Sequence, residues 1–358
     1  MTRIRLQPSV ALEGSDGSLE AIDRPLALLQ EVERQGNLRS ACERLGISYR
    51  SGWDMMAALE KRFGAPVLDM TRGRGSAPTE LGARLLWALK LVHARFDPPF
   101  DSMAAEIDAQ VQAVLMRDRA YLKIVASHGY AIAALHAHLR QADAAVELSY
   151  RGSIEALDAL HRKTCDVAGF PVPLGELQAP VLARIRPLLK DSYRAVTVAV
   201  RRLGLMVRKG NPGQVWSVAD LARPGVRFVN RQQGSSTRMI LELLLERAGV
   251  AGSQVDGFED VELTHAAIAA YVASSKADCG LGVEAAARAF DLDFVPILAE
   301  RYFLVCEAAT LLDARLAGML AYLRGPDFRR SLLGQAGYDG LDAGQVSAPD
   351  QAFPAASA

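Results

Sequence analysis

Gly234-Ser235-Ser236-Thr237-Arg238 follows the apolar run VRFVN (226–230) and opens a helical pattern that reaches Ala248. Three hydroxyls and a guanidinium at a strand-to-helix junction, beside the free N–H groups of a helix start, make a cradle for an anion. Comparable junctions lie at Ser127-His128-Gly129 after YLKIVAS (121–127), at Ser153 after Tyr150-Arg151-Gly152, and at Thr264-His265. Parallel α/β sheets gather such junctions at the carboxyl ends of their strands, where these folds bind ligands. The chemistry this predicts is reversible capture of a tetrahedral oxyanion or a small carboxylate. Each residue also has a structural use. Ser or Thr before a helix is first a cap, Arg238 can pair with Glu242 one turn on, and His128 and His265 can be satisfied in a core.

Other chemistries find little support. His128 and His265 lack ligand spacing, and the four cysteines (42, 165, 279 and 306) are far apart with no CxxC pair. Neither zinc nor a disulfide framework is expected. His136 and His138 point to opposite sides of one helix. Nucleophile elbow, P-loop and dinucleotide fingerprint are missing, and Gly280-Leu281-Gly282 is too short to be one. Ser127 and His128 are adjacent in sequence, whereas a triad needs convergence in space. The chain is expected not to be an enzyme and to use no cofactor.

A second set of candidates lies in the first third. Ser48, Tyr49, Arg50 and Ser51 would form the first turn of a helix, with hydrogen-bonding groups facing outward. Thr71-Arg72-Gly73-Arg74-Gly75 would form a tight hairpin tip carrying two guanidinium groups. Residues 39–74 hold seven Arg or Lys against four Asp or Glu, a net of +3 in a chain whose overall formal charge is zero. Recognition turn and basic hairpin together predict contact with double-stranded DNA through Ser48, Tyr49, Arg50, Ser51, Arg72 and Arg74.

The elements that must position these groups follow from periodicity. Leu26, Leu28, Leu29 and Val32 form a helical stripe closed by Gly36; Asn37 caps Leu38–Leu45, ended by Gly46; Ser48 caps a third helix to Arg62, with Gly64 beyond. Trp53, Met56, Leu59 and Phe63 are expected to pack inward. Thr79 caps a long helix from Glu80 with Leu81, Leu85, Leu86, Leu89 and Val92 on one side, broken at Asp97-Pro98-Pro99 and resumed to about Met116. Helix, short helix, turn, helix and hairpin is the layout of a winged helix-turn-helix.

After Arg119 strands alternate with helices, and the expected class is α/β with parallel sheets. Strands are predicted at 121–127, 145–153, 166–170, 195–200, 203–207, 226–230, 279–283, 294–298 and 302–306. The tail after Gly337 is rich in Ala, Gly, Ser and Pro and is expected to be disordered. The expected domains are 1–79 for DNA binding, 80–118 as linker helix and dimerisation region, 119–337 for the effector, and 338–358 as tail. The start lacks an unbroken apolar h-region and no run of 18 apolar residues occurs, so a cytoplasmic protein without a membrane span is expected.

The stretch ISYRSGWDMMAALEKRFGAPVLDMTRGRGSAPTELG (47–82) resembles the N-terminal domain of ModE-type molybdate-responsive regulators, relatives of the LysR-type DNA-binding domain. The likeness covers about residues 20–95 and implies a homodimer, held partly by the 80–95 helix, on a two-fold related DNA site; homotetramers are also compatible. ModE-type proteins usually continue into small β-rich molybdate domains, which this chain does not. Asn230 to Arg238, Thr264 to Ala269, Ala277 to Gly282 and Glu300-Arg301-Tyr302 resemble a two-lobed periplasmic-binding-protein-like fold, as in LysR-type effector domains and a family found beside molybdenum-cofactor proteins. That likeness adds Tyr302 to the effector candidates Ser127, His128, Ser153, Gly234, Ser235, Ser236, Thr237, Arg238, Thr264 and His265. It implies a one-component transcription regulator sensing molybdate or tungstate, with formate or sulfate behind. The alternative is a small-molecule or molybdenum-cofactor binding or insertion protein whose winged domain makes protein contacts.

Overall fold

The computed structural model describes residues 4–70, 75–115 and 121–354. They divide into two compact units, Gln7–Asp97 and Pro98–Ala358 with Met1–Leu6. The smaller unit opens on a hairpin of β1 (Ala11–Glu13) and β2 (Leu19–Ala21), then folds into α1 (Asp23–Gln35), α2 (Leu38–Leu45) and α3 (Tyr49–Phe63). The caps set these boundaries. Asn37 Oδ1 accepts the Arg39 N–H at 2.7 Å, Ser48 Oγ accepts the Ser51 N–H at 3.0 Å, and Gly36 and Gly46 close α1 and α2. Leu26, Leu28, Leu29 and Val32 meet Met56 and Leu59 in the core. Trp53, expected there, is instead 48% exposed. The buried face of α3 runs through Gly52, Met56 and Leu59, because α1 and α2 close tightly on it. A Cβ on Gly52 would stand 2.3 Å from Cys42 Sγ and 3.3 Å from a Leu28 methyl.

The short strands β3 (Leu68–Asp69) and β4 (Ala77–Pro78) pair antiparallel as the base of the expected wing. α4 then runs unbroken over Glu80–Leu115 with Pro98 and Pro99 inside it. The predicted break does not occur: proline's fixed φ is itself helical, and the turns on either side carry the helix past the two missing N–H donors. Leu81, Leu85 and Leu89 pack against the core of the smaller unit, where Leu86 is buried.

The larger unit begins with β5 (Leu122–Ala126), α5 (Tyr130–Gln141), β6 (Val146–Tyr150), α6 (Ser153–His161), β7 (Val167–Pro173) and α7 (Gln178–Ile185). These build a first lobe in which β5 pairs parallel with β6 and β7. β8 (Tyr193–Val207) leads to a second lobe of β9 (Phe228–Arg231), α8 (Ser236–Arg247), β10 (Val261–Glu262), α9 (His265–Ala273), β11 (Cys279–Val283) and α10 (Glu284–Ala289). β12 (Asp293–Glu307) returns the chain to the first lobe, which α11 (Ala314–Arg324) and α12 (Pro326–Leu333) complete. Strand order is β10-β9-β11-β8-β12-β7-β5-β6.

Two expectations about this sheet need correction. AVTVAV and LGLMV are one strand, β8, and FVPIL and YFLVC are one strand, β12. They pair antiparallel along most of their lengths and cross between the lobes, so the sheet is mixed and not parallel throughout. The polar residues that looked like strand breaks, Arg201 and Glu300, face each other across this pair. The tail is also folded as far as it is described. β13 (Tyr338–Asp339) and β14 (Val346–Ser347) pair with β8, and Phe353 is buried against Phe170 and Phe303. A few aromatic and apolar anchors, with backbone donors and acceptors that β8 satisfies, outweigh the small-residue composition.

Candidate functional site

In the larger unit the carboxyl ends of β5, β6 and β9 and the turn before α9 converge on a cavity of about 80 Å³. His128, Tyr150, Arg151, Arg231, Gln232 and Thr264 supply its polar lining, while Leu263, Pro98 and Pro99 supply apolar walls. Two guanidinium groups line this cavity, the exposed Arg151 and the buried Arg231. Arg231 is 3% exposed and its Nε donates to Gln232 Oε1 at 3.1 Å. Burial, with Arg201 nearby, pulls it down to about 9, so it remains a cation at neutral pH. Arg201 lies deeper, its Nε donating to Glu300 Oε2 at 3.0 Å, and both side chains are almost wholly buried. Burial opposes the charge on Arg201, but Glu300 holds its ionisation above the usual range.

Both histidines here are neutral. Burial, then the charges of Arg231 and Arg201, pulls His128 from 6.5 down to about 3; its ring meets Tyr150 edge-on at 4.9 Å. Burial and the same two guanidinium groups hold His265 well below its usual value. The buried cations Arg231 and Arg201 stand here with the carboxylate of Glu300, and the exposed Arg151 also lines the cavity. Arg201 Nη1, Ser153 Oγ and His265 Nδ1 are buried there without hydrogen-bond partners. Guanidinium charge with unpaired buried polar atoms around a small cavity is what an anion needs.

The predicted residues divide into several groups. Thr264 and His128 line the cavity, and Ser153 and His265 present unpaired buried atoms. Ser127 and Tyr302 are locked together, Ser127 Oγ donating to Tyr302 Oη at 3.1 Å and Tyr302 Oη donating to the Ser127 carbonyl at 2.7 Å. Ser235 Oγ caps α8 by accepting the Arg238 N–H at 3.2 Å, Ser236 Oγ donates to the Pro171 carbonyl at 3.3 Å, and Thr237 is buried. The Gly234 carbonyl accepts the Ile154 N–H at 3.3 Å, joining the two lobes. Arg238 is not brought to the cavity lining. It pairs with Glu242 at 3.2 Å and Glu259 at 3.0 Å and stacks on Phe258, as its helical spacing from Glu242 allowed. Arg201, Glu300, Arg231 and Tyr150 were missed. The signal was an arginine directly after the strand VRFVN, and an Arg and a Glu interrupting apolar strands.

In the smaller unit, Tyr49 and Arg50 are exposed on the first turn of α3, as is Ser51, while Ser48 Oγ is engaged as the cap. Arg72 and Arg74 lie outside the described residues. Arg39 of α2, missed in the sequence, stacks its guanidinium over the Tyr49 ring at 5.0 Å. With Asn37, Gly75 and Ser76 the pair borders an open groove of about 400 Å³.

Comparisons with known proteins match both units. The PBP superfamily domain matches residues 134–324, and the bacterial regulatory helix-turn-helix protein, lysR family, matches residues 24–83. The uncharacterized protein YvgK of Bacillus subtilis (strain 168) is 31% identical over 200 residues, 55% of this chain. The chain spans 64% of that relative's length. Among solved structures, an OxyR mutant of Corynebacterium glutamicum with hydrogen peroxide bound has a TM-score of 0.43 at 13% identity, covering 87% of this chain and 94% of that one. Full-length CbnR complexed with its target DNA has a TM-score of 0.37 at 20% identity, covering 86% and 98%.

Proposed function

The chain belongs to the PBP superfamily through its larger unit; on that premise, and from the lysR-family helix-turn-helix matched in its smaller unit, we propose that it is a transcription regulator whose effector is a small oxyanion. The observation that carries this reading is Arg231, a buried guanidinium at the cavity, with a second, Arg201, behind it and paired to Glu300. Neutral histidines and unpaired donors add hydrogen bonds without adding charge. Molybdate and tungstate come first, then sulfate and formate. A cavity with about 80 Å³ open to water-sized molecules has room for such an ion. Sensing is favoured over catalysis because Ser127 directs its hydroxyl to Tyr302 and not to the adjacent His128.

On the DNA side, Tyr49, Arg50 and Ser51 are read as groove contacts, Arg39 as a backbone contact steadied on Tyr49, and Arg72 and Arg74 as further contacts to DNA. Homodimers are read as the binding unit on a two-fold site, with pairing into tetramers open to the same surfaces. The test is a melting-temperature screen of the whole protein against molybdate, tungstate, sulfate, phosphate and formate. A ligand at a hundred times its Kd stabilises by about 2.7 kcal/mol. One of these anions should raise the transition, and Arg231→Met should abolish the rise while Arg238→Met leaves it in place. A full shift in Arg231→Met would end this assignment of the site.

A further inference from the structure

The cavity proposed for the effector has one wall on the long helix α4. Pro98 and Pro99, inside α4, line it together with His128, Tyr150 and Arg231. Three residues on, Ser102 Oγ donates to the Pro98 carbonyl at 3.1 Å and accepts the Tyr150 N–H at 2.9 Å. Tyr150 is thus tied to α4 through its backbone while its ring forms part of the cavity and meets His128 edge-on. Pro98 and Pro99 lie on α4, which precedes the first strand of the sheet, β5. α4 is one continuous helix from Glu80 to Leu115, and its first turns carry Leu81, Leu85 and Leu89 into the core of the helix-turn-helix unit.

We infer that α4 is itself part of the effector site: the bound anion's shell touches Pro98 and Pro99, Ser102 and Tyr150 hold that contact in register, and occupancy is read directly by the helix that continues into the DNA-binding unit. This rests on the oxyanion reading above. Proline suits the place chemically. It offers no N–H to compete for the anion, and its ring excludes water from one side of the ion, which strengthens the bonds from Arg231. A ligand shifts a conformational equilibrium only by the difference in how it contacts the two states. A wall that belongs to the helix supplies such a contact without relay through the sheet.

Hydrogen exchange on the full chain, with and without molybdate, sulfate, phosphate or formate at millimolar concentration, tests this directly. The stabilising anion should slow exchange of the amides of residues 100–106 together with those around 127–130 and 231–237. Protection of the strand-end segments without any in 100–106 would overturn the inference and leave the oxyanion reading standing. No protection anywhere with any of these anions would overturn the oxyanion reading and this inference with it. Ser102→Ala provides a second readout, since Ser102 is absent from the cavity lining. It should keep the anion's melting shift and lose most of the anion's effect on DNA affinity, an effect expected to be about 5- to 150-fold. An undiminished DNA response in Ser102→Ala would count against α4 as the reader.

Discussion

Arg231 and Arg238 are separated by seven residues in one segment, yet they have opposite fates. Arg238, on the helix, finds Glu242 and Glu259, while Arg231, at the strand end, is buried without an ion pair among the described residues. Burial beside the Arg231 and Arg201 guanidinium groups also explains the histidines. His128 and His265 are neutral in the fold, because burial first and the two guanidinium groups second disfavour the imidazolium form. In the unfolded chain each would protonate near its ordinary value of 6.5. The folded values lie below the unfolded ones, so unfolding takes up protons as pH falls below about 6.5, down to about 3 for His128. Each histidine should therefore remove about 1.4 kcal/mol of stability per pH unit within that window. Melting temperatures measured between about pH 7 and 5.5, above the carboxylate range, should fall less steeply in His128→Gln/His265→Gln than in the native chain. Equal slopes would mean the rings are not held neutral.

At the scale of elements, α4 carries two apolar stripes with different partners. The family likeness implied a homodimer held partly by the 80–95 helix; Leu81, Leu85 and Leu89 of that helix are partly buried against the core of the helix-turn-helix unit. Met103, Ile107, Val111 and Val114 recur at spacings of four, four and three and are all exposed. A helical stripe of that kind on a long helix calls for another helix to cover it, and a second copy of this chain is the partner we expect. Met103→Glu with Ile107→Glu should convert the full-length protein to monomer in sedimentation and weaken DNA binding through lost bivalency. Leu85→Glu should lower the melting temperature of the smaller unit without acting on association. If the first variant sediments like the native chain, assembly runs through another surface. The same element shows what helical periodicity can miss. A stripe announces that a face will be buried, not which surface will bury it.

For the effector unit as a whole, the two lobes meet where Gly152 approaches Gly234. A Cβ on Gly152 would stand 3.0 Å from the Gly234 oxygen and 3.2 Å from its carbonyl carbon, beside the Ile154 N–H bond to that same oxygen. Ser236 adds a second bond between lobes, to the Pro171 carbonyl. Gly152→Ala should therefore oppose closure without removing any group that faces the ion. Overpacking of this kind costs about 1–3 kcal/mol. Falling on the closed state alone, that is about 5- to 150-fold in anion affinity. Calorimetric titration with the anion found by the melting screen would measure it. An affinity within twofold of native would show that binding does not need this contact.

Much of the local structure was legible in the sequence because it depends on near neighbours. Asn37, Ser48 and Thr264 cap the helices they precede, and Gly36, Gly46 and Gly64 close the ones before them. These interactions close within four residues. The hydroxyl-bearing strand-to-helix junctions were visible for the same reason, and the α/β alternation placed them at strand ends. What only the tertiary structure decided was set by long-range pairing. Arg201 meets Glu300 99 residues away, Tyr150 meets Ser102 across 48, and Ser127 meets Tyr302 across 175. Local pattern does not encode such encounters, because each half of the pair alone reads as a solvated charge or a cap. The charge balance at the cavity, the fusion of four apparent strands into β8 and β12, and the proline wall all follow from which distant groups the folded chain brings into contact.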